Sequence, residues 1–229
     1  MMRESFLASG RVVLLLLLAA GLNLAGPGPR AEPAQEQSNK AVEDPHAQHR
    51  QMLRNPNKSA THSIDINLSD TELVTQDGIP VKLKSDVVSD KIVVIDFIYT
   101  TCTTVCPVLS AILSQVQTRL DDRLGREVVL VSISVDPTRD SPARLRSYSS
   151  KLRAREGWMW LTGDKPAVDR VLKELGAYTP NFEDHPSMVL VGDGSSGEWG
   201  RFLGFPGSEQ IMAKIEEFSA GRTQAAVKE

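Results

Sequence analysis

The sequence predicts an α/β fold, a mixed sheet with flanking helices and an amino-terminal hairpin. Three observations predict it. Strand-like and helix-like stretches alternate from Ser63 onward, two long β-branched runs have the character of strands buried on both faces, and the helices that follow open on capping residues.

Leu73-Val74-Thr75 and Val81-Lys82-Leu83 flank Gln76-Asp77-Gly78, which supplies turn chemistry, so the pair reads as a hairpin. Ile92 to Tyr99 is apolar and β-branched except at Asp96 and reads as a central strand. From Pro107 to Leu120, Val108, Ile112, Val116 and Leu120 step by four beside Leu109 and Leu113, giving a helix with one apolar face that ends before Gly125. Val128 to Val135 is a second buried strand, and Ser141-Pro142 is an N-cap and first-turn pair opening a helix to about Leu152. Trp158 to Leu161 reads as a third strand. Asp164 caps a helix carrying Ala167, Val168, Val171, Leu172 and Leu175 that stops at Gly176. Met188 to Val191 and Trp199 to Leu203 flank a Gly-Asp-Gly-Ser-Ser-Gly turn as an antiparallel hairpin, and a last helix runs from Ser208 to about Phe218, with a frayed end at Ala220 to Glu229. Hairpin, β, α, β, α, β, α, β, β, α is the order of a thioredoxin-like fold.

The length of 229 residues fits one such domain with extensions. An apolar fraction of 41% and a charged fraction of 24% exclude a disordered or polytopic chain, and a net charge of -3 with no long block of one sign leaves no footprint for nucleic acid. No Walker or dinucleotide glycine pattern, internal repeat, paired carboxylates, Ser/His/Asp set or closed zinc site is evident. Arg3 and Arg11 bracket the start, and Val12 to Ala25 is almost entirely apolar. That stretch falls in the range of signal h-regions, about 7 to 15 residues, below the 20 or so of a spanning helix. Residues 1–25 are therefore expected to be an export signal, cleaved after Gly21 or Ala25, or else retained as an amino-terminal anchor. Residues 26–62, polar and Pro-rich, read as a flexible linker, 63–221 as the folded domain and 222–229 as a tail.

Two cysteines occur, four positions apart, in a chain expected to leave the cytosol. A loop that short stabilises little as a structural disulfide, so Cys102 and Cys106 point to redox or metal chemistry. They lie where a buried strand hands over to a helix, and the orphan N–H groups and positive dipole end there favour both thiolates. Residues i and i+4 share a helix face, so the sulfurs can converge on one soft ion, while a Cys102–Cys106 disulfide calls for local unwinding. A buried core pair is the bland alternative. A third ligand is best sought among the histidines: the loop of His185, just before the strand from Met188, is brought by this topology beside the cysteines. Position alone leaves open a loop histidine that caps nearby backbone.

The run from Asp96 to Pro107 (DFIYTTCTTVCP), the run from Val131 to Pro142 (VSISVDPTRDSP) and Asp184-His185 together closely resemble the SCO/SenC family over residues 64–218. The resemblance implies a thioredoxin-like fold, one copper ion per domain held by two Cys and one His, matched by Cys102, Cys106 and His185, and copper supply to the dinuclear copper centre of cytochrome c oxidase. It also implies, as partners, the copper-bearing subunit of that oxidase and an upstream copper donor, with an alternative role as a thiol–disulfide oxidoreductase that keeps partner cysteines reduced. In that role Cys102 attacks and Cys106 resolves. The expected location is the periplasmic side of the inner membrane, soluble or anchored.

His185 is followed by Pro186-Ser187 rather than by one small polar residue, a departure from the family pattern, and the peptide bond before Pro186 is open to either isomer. Asp136, at the end of the second buried strand, either orients a ligand from behind or starts a turn before Pro137. His46, His49 and Met52 stand at three-residue steps in the linker, donors that suit an auxiliary copper site and that polar tails also carry by chance.

Overall fold

The computed structural model describes residues 61–228. The expected signal or anchor, nearly all of the linker, and His46, His49 and Met52 lie outside the described residues. Among the described residues no helix is long and apolar enough to cross a membrane.

Eight strands among the described residues form one mixed sheet, in the order β1-β8-β7-β4-β5-β6-β2-β3. They are β1 (Thr61–Ile64), β2 (Glu72–Thr75), β3 (Pro80–Lys82), β4 (Ile92–Ile98), β5 (Val128–Ser134), β6 (Trp158–Thr162), β7 (Met188–Asp193) and β8 (Glu198–Leu203). The helices are α1 (Val105–Leu120), α2 (Pro142–Lys151), α3 (Lys165–Glu174) and α4 (Ser208–Lys228). This is the thioredoxin-like mixed sheet with flanking helices, and β2–β3 is the predicted hairpin.

β4 and β5 are buried at every position, and β4 pairs parallel with β5 and antiparallel with β7. Side chains alternate across a strand, so their β-branched runs feed two cores. On one face Ile92, Val94 and Ile98 meet Leu109, Leu113 and Val116 of α1, Leu145 of α2, and Ile211 and Ile215 of α4. On the other, Val93, Ile95 and Phe97 meet Val168, Val171 and Leu172 of α3, and Leu83 and Val87 of a π-helical turn, Leu83–Val88. Gly125 and Gly157, both at positive φ, pack backbone against backbone ahead of β5 and β6. A Cβ on Gly157 would stand 2.4 Å from the nitrogen of Gly125, so only glycine allows the parallel strands to start together.

Ser141 accepts the N–H of Arg144 and Asp164 that of Ala167, as their capping roles require. The structure departs from the sequence-based expectation in four places. β1 is an added edge strand that begins at Thr61, inside the tract read as linker, because β8 offers it an antiparallel partner. Leu83 opens the π-helical turn instead of ending a strand. α1 begins at Val105, two residues ahead of Pro107; a proline in a first turn gives up an N–H that has no partner there anyway. α4 continues past Phe218 to Lys228, and the expected tail is helical there. Arg222 clasps it to the sheet by donating to Asp193 from Nε at 2.9 Å and to the Asp90 carbonyl at 2.8 Å.

Candidate metal centre

β4 ends at Ile98, and the loop from Tyr99 to Thr104 carries Cys102 before α1 begins with Cys106 in its first turn. Cys102 therefore stands outside the helix, and the shared helix face expected for the pair is replaced by a cap. Thr104, at the N-cap position, makes no side-chain cap bond, and the Sγ of Cys102 accepts the N–H of Cys106 at 3.3 Å. A sulfur thus fills the place a Ser or Asp oxygen takes elsewhere. Both cysteines are free and buried.

The two thiols are unequal, so the expectation that both favour thiolate holds for one. Burial opposes ionisation of Cys102, yet the donors outweigh it: the Cys106 thiol, the N–H groups of Cys106 and Thr104, and the Tyr99 hydroxyl bring its pKa below the ordinary thiol value. At Cys106 burial pushes the pKa far up, and the proton it donates to Cys102 holds it there.

The loop is held from below by a residue that sequence reasoning did not single out. Asp140, 1% exposed, accepts the Thr100 N–H at 3.1 Å, the Thr100 hydroxyl at 2.5 Å and the Ser134 hydroxyl at 2.7 Å. These bonds tie the cysteine loop to the end of β5. Asp140 belongs to the run VSISVDPTRDSP, and that was its signal.

His185 follows a short 3-10 turn, Phe182–Asp184, and is half-buried. Its ring lies edge-on to that of Tyr99, 6.0 Å between centres, and the Tyr99 carbonyl accepts the N–H of Cys102 at 3.1 Å. Desolvation keeps the imidazole pKa below its usual value, so it is neutral at neutral pH. Nδ1 faces the Pro186 carbonyl at 3.3 Å, an acceptor that assigns the ring proton to Nδ1 and the lone pair to Nε2. Among the described residues no three His, Cys, Asp or Glu side chains are gathered closely enough to hold one ion. Cys102 and Cys106 are joined by the N–H to Sγ bond, and Tyr99 links Cys102 to His185 through its carbonyl and its ring.

Asp136 is 5% exposed, and its carboxylate holds Arg139 at 2.9 Å. The guanidinium lies 5.4 Å from the centre of the Phe182 ring, which stands edge-on to Tyr99 at 5.1 Å. Asp136 thus reaches the cysteine loop through three side chains, beside a cavity of about 250 Å³ that Asp136, Arg139 and Phe182 help to line.

The SCO1/SenC family profile matches residues 62–219. A SCO1 protein homolog from Bacillus subtilis (strain 168) is 34% identical over 89 residues, 38% of this chain and 45% of that protein. The chain spans about half the length of the curated relatives it matches. Among solved structures, a SCO1/SenC family lipoprotein from Bacillus anthracis str. Ames is similar at a TM-score of 0.59 and 25% identity, over 69% of this chain and 97% of that one. Bradyrhizobium japonicum ScoI with copper bound is similar at 0.51 and 26%, over 65% and 97%. BsSco, described as a member of the Sco family of cytochrome c oxidase assembly proteins with a disulfide switch, shares the fold at 0.58 and 24%, over 69% and 96%. With a profile that runs from β1 into α4 and takes in both cysteines and His185, the chain belongs to the SCO1/SenC family.

Proposed function

We propose that this chain is a metallochaperone that takes one copper ion as cargo on Cys102, Cys106 and His185 and delivers it to the dinuclear copper centre of cytochrome c oxidase. One observation carries the reading: the Cys102 sulfur caps the N–H of Cys106 at a helix start, with a neutral imidazole, its Nε2 lone pair available, one ring away. Thiolates and imidazole are a soft donor set that suits Cu(I), and three ligands leave the ion open to withdrawal by an acceptor. Because His185 is not yet gathered with the sulfurs, capture of the ion would draw its loop inward. Copper bound to ScoI of B. japonicum, a relative of this family, supports the choice of ion. Export by the amino-terminal segment would place the domain on the periplasmic side of the membrane, where the oxidase presents this centre, and the family lipoprotein of B. anthracis agrees with a surface-held domain.

The unequal thiols favour a second use of the same pair, thiol–disulfide exchange in which Cys102 attacks and Cys106 resolves. His185 separates the two readings, since exchange does not require the imidazole. Titration of Cu(I) into the full chain, with free thiols counted, tests this. The reduced protein is expected to take up one ion tightly, His185→Ala to lose affinity, and the disulfide form to lose tight binding, because oxidation removes both anionic donors. Affinity is expected to fall as pH drops, because protons compete for thiolates and imidazole. Undiminished binding by the oxidised protein would overturn the ligand set, and equal affinity in His185→Ala would leave the exchange reading ahead.

A further inference from the structure

One turn braces both arms of the proposed site. It runs from Asp136 to Asp140, just after β5, and the Asp136 carbonyl closes it by accepting the N–H of Arg139 at 3.1 Å and of Asp140 at 2.9 Å. Asp140 grips the cysteine arm through Thr100, two positions before Cys102. Its neighbour faces the other arm. The Arg139 guanidinium is fixed by the Asp136 carboxylate at 2.9 Å and lies over the Phe182 ring, 5.4 Å from its centre. Phe182 opens the 3-10 turn that leads into His185, and its carbonyl accepts the His185 N–H at 3.3 Å. Its ring stands at 78° to that of Tyr99, against which the His185 ring lies at 85°. Asn181 shapes the 3-10 turn from within, accepting the Glu183 N–H at 3.3 Å and donating to Asp184 Oδ2 at 3.0 Å. The ring of Phe182 joins that turn to Arg139 on one side and to Tyr99 on the other.

We infer that Arg139 is a positioning residue: by seating Phe182 against Tyr99 it sets where the His185 ring stands relative to the cysteine loop, as Asp140 sets the loop itself. Its use in copper capture rests on the ligand set proposed above, but the placement it enforces belongs to the copper-free chain as well. A cation is drawn to the electron-rich face of a ring, and a guanidinium held flat by a carboxylate serves this contact better than an ammonium. Alanine at position 139 therefore loses the contact, and lysine keeps the charge and part of the contact.

The test compares the full reduced chain with Arg139→Ala, Arg139→Lys and a control, Arg146→Ala, which removes an equally exposed arginine paired with Asp77 at 3.1 Å. In the copper-free chain, the proton Overhauser contact between the Tyr99 and His185 rings is expected to weaken in Arg139→Ala, to survive in part in Arg139→Lys and to stay unchanged in Arg146→Ala. Cu(I) is then titrated against a competing chelator. Affinity is expected to fall by about two- to fivefold in Arg139→Ala, the worth of one exposed cation–π contact, and by less in Arg139→Lys. In a His185→Ala background the Arg139→Ala effect is expected to vanish, because no imidazole is left to place, whereas a merely structural loss would add in full. An unchanged ring contact or unchanged affinity in Arg139→Ala, equal weakening in Arg146→Ala, or a full loss in the His185→Ala background would overturn the inference. A wild type that takes up no Cu(I) sinks the proposed function, while the ring contact in the copper-free chain still decides the role of Arg139.

Discussion

Strand β4 shows the two faces of the sheet side by side. Val93, Ile95 and Phe97 enter an apolar core made with Val131, Ile133, Leu161, Val171 and Leu190. One residue over, Ile92, Val94 and Ile98 enter the face shared with the cysteines, and among them sits Asp96, 0% exposed. Its Oδ1 accepts the Ser132 hydroxyl at 2.5 Å, and Ser132 in turn accepts the Trp158 indole N–H at 3.0 Å. Its Oδ2 is buried without a partner, as is the Trp160 indole nitrogen. Burial raises the Asp96 pKa to about 7. The same strand thus feeds an apolar core on one side and keeps a buried chargeable group among the hydrophobic residues on the other.

Truncation on the apolar face carries the largest expected effect. Phe97→Ala is expected to remove about 3 to 5 kcal/mol of unfolding free energy, the transfer loss of a buried ring plus the cavity left behind. Urea unfolding measures it, and a loss below about 1 kcal/mol would mean that this face is not the firmer one. Second comes the pH dependence of the other face. The folded Asp96 carboxyl titrates near 7 against 3.8 in the unfolded chain, so the unfolded chain ionises first. Its contribution is complete below the unfolded value and is lost as pH rises from about 4 through 7, by up to about 4 kcal/mol at 1.36 kcal/mol per unit. Asp96→Asn removes this slope. The stability difference between wild type and variant, followed from pH 4 to 8, checks it, and a flat difference would show that the carboxyl finds a partner in solution.

A smaller effect is expected where polar groups are satisfied instead of orphaned. Asp193, 3% exposed, is desolvated, but Arg222 and the N–H of Ser195 more than compensate and hold its pKa below the usual carboxylate range. Arg222→Ala is expected to cost about 1 to 3 kcal/mol, the penalty of leaving a buried acceptor unmet. Hydrogen exchange should show the loss first in the last turns of α4. Protection unchanged beyond Ser219 would mean that the helix holds there by propensity alone.

The fold was largely legible because β4, β5, β6 and β7 are written in β-branched and aromatic residues, and Ser141 and Asp164 announce the helices they cap. What escaped was written elsewhere in the chain. Thr61-His62-Ser63-Ile64 has no strong strand character and is a strand because β8 stands beside it. The last helix was expected to end at about Phe218, yet Arg222 fastens it beyond that point. The helix was expected to begin at Pro107; with its start at Val105, Cys106 falls in the first turn and the Cys102 sulfur caps its N–H. Cys102, Cys106 and His185 were legible as candidates from their spacing and their family resemblance. The bonds that Asp140 makes to Thr100 and Ser134 were not, because the partners of a carboxylate are set by how a loop turns and leave no period in the sequence.

The place of β1 has a mechanical consequence. Whatever holds the amino-terminal side of the chain, a pull from that side enters the domain at the edge of the sheet, through the four registered pairs from Thr61–Phe202 to Ile64–Trp199. β8 and β7 stand between this edge and β4, whose end carries the cysteines. Under load the short outer ladder would peel away first, a fuse that spares the strands on which the cysteines are mounted.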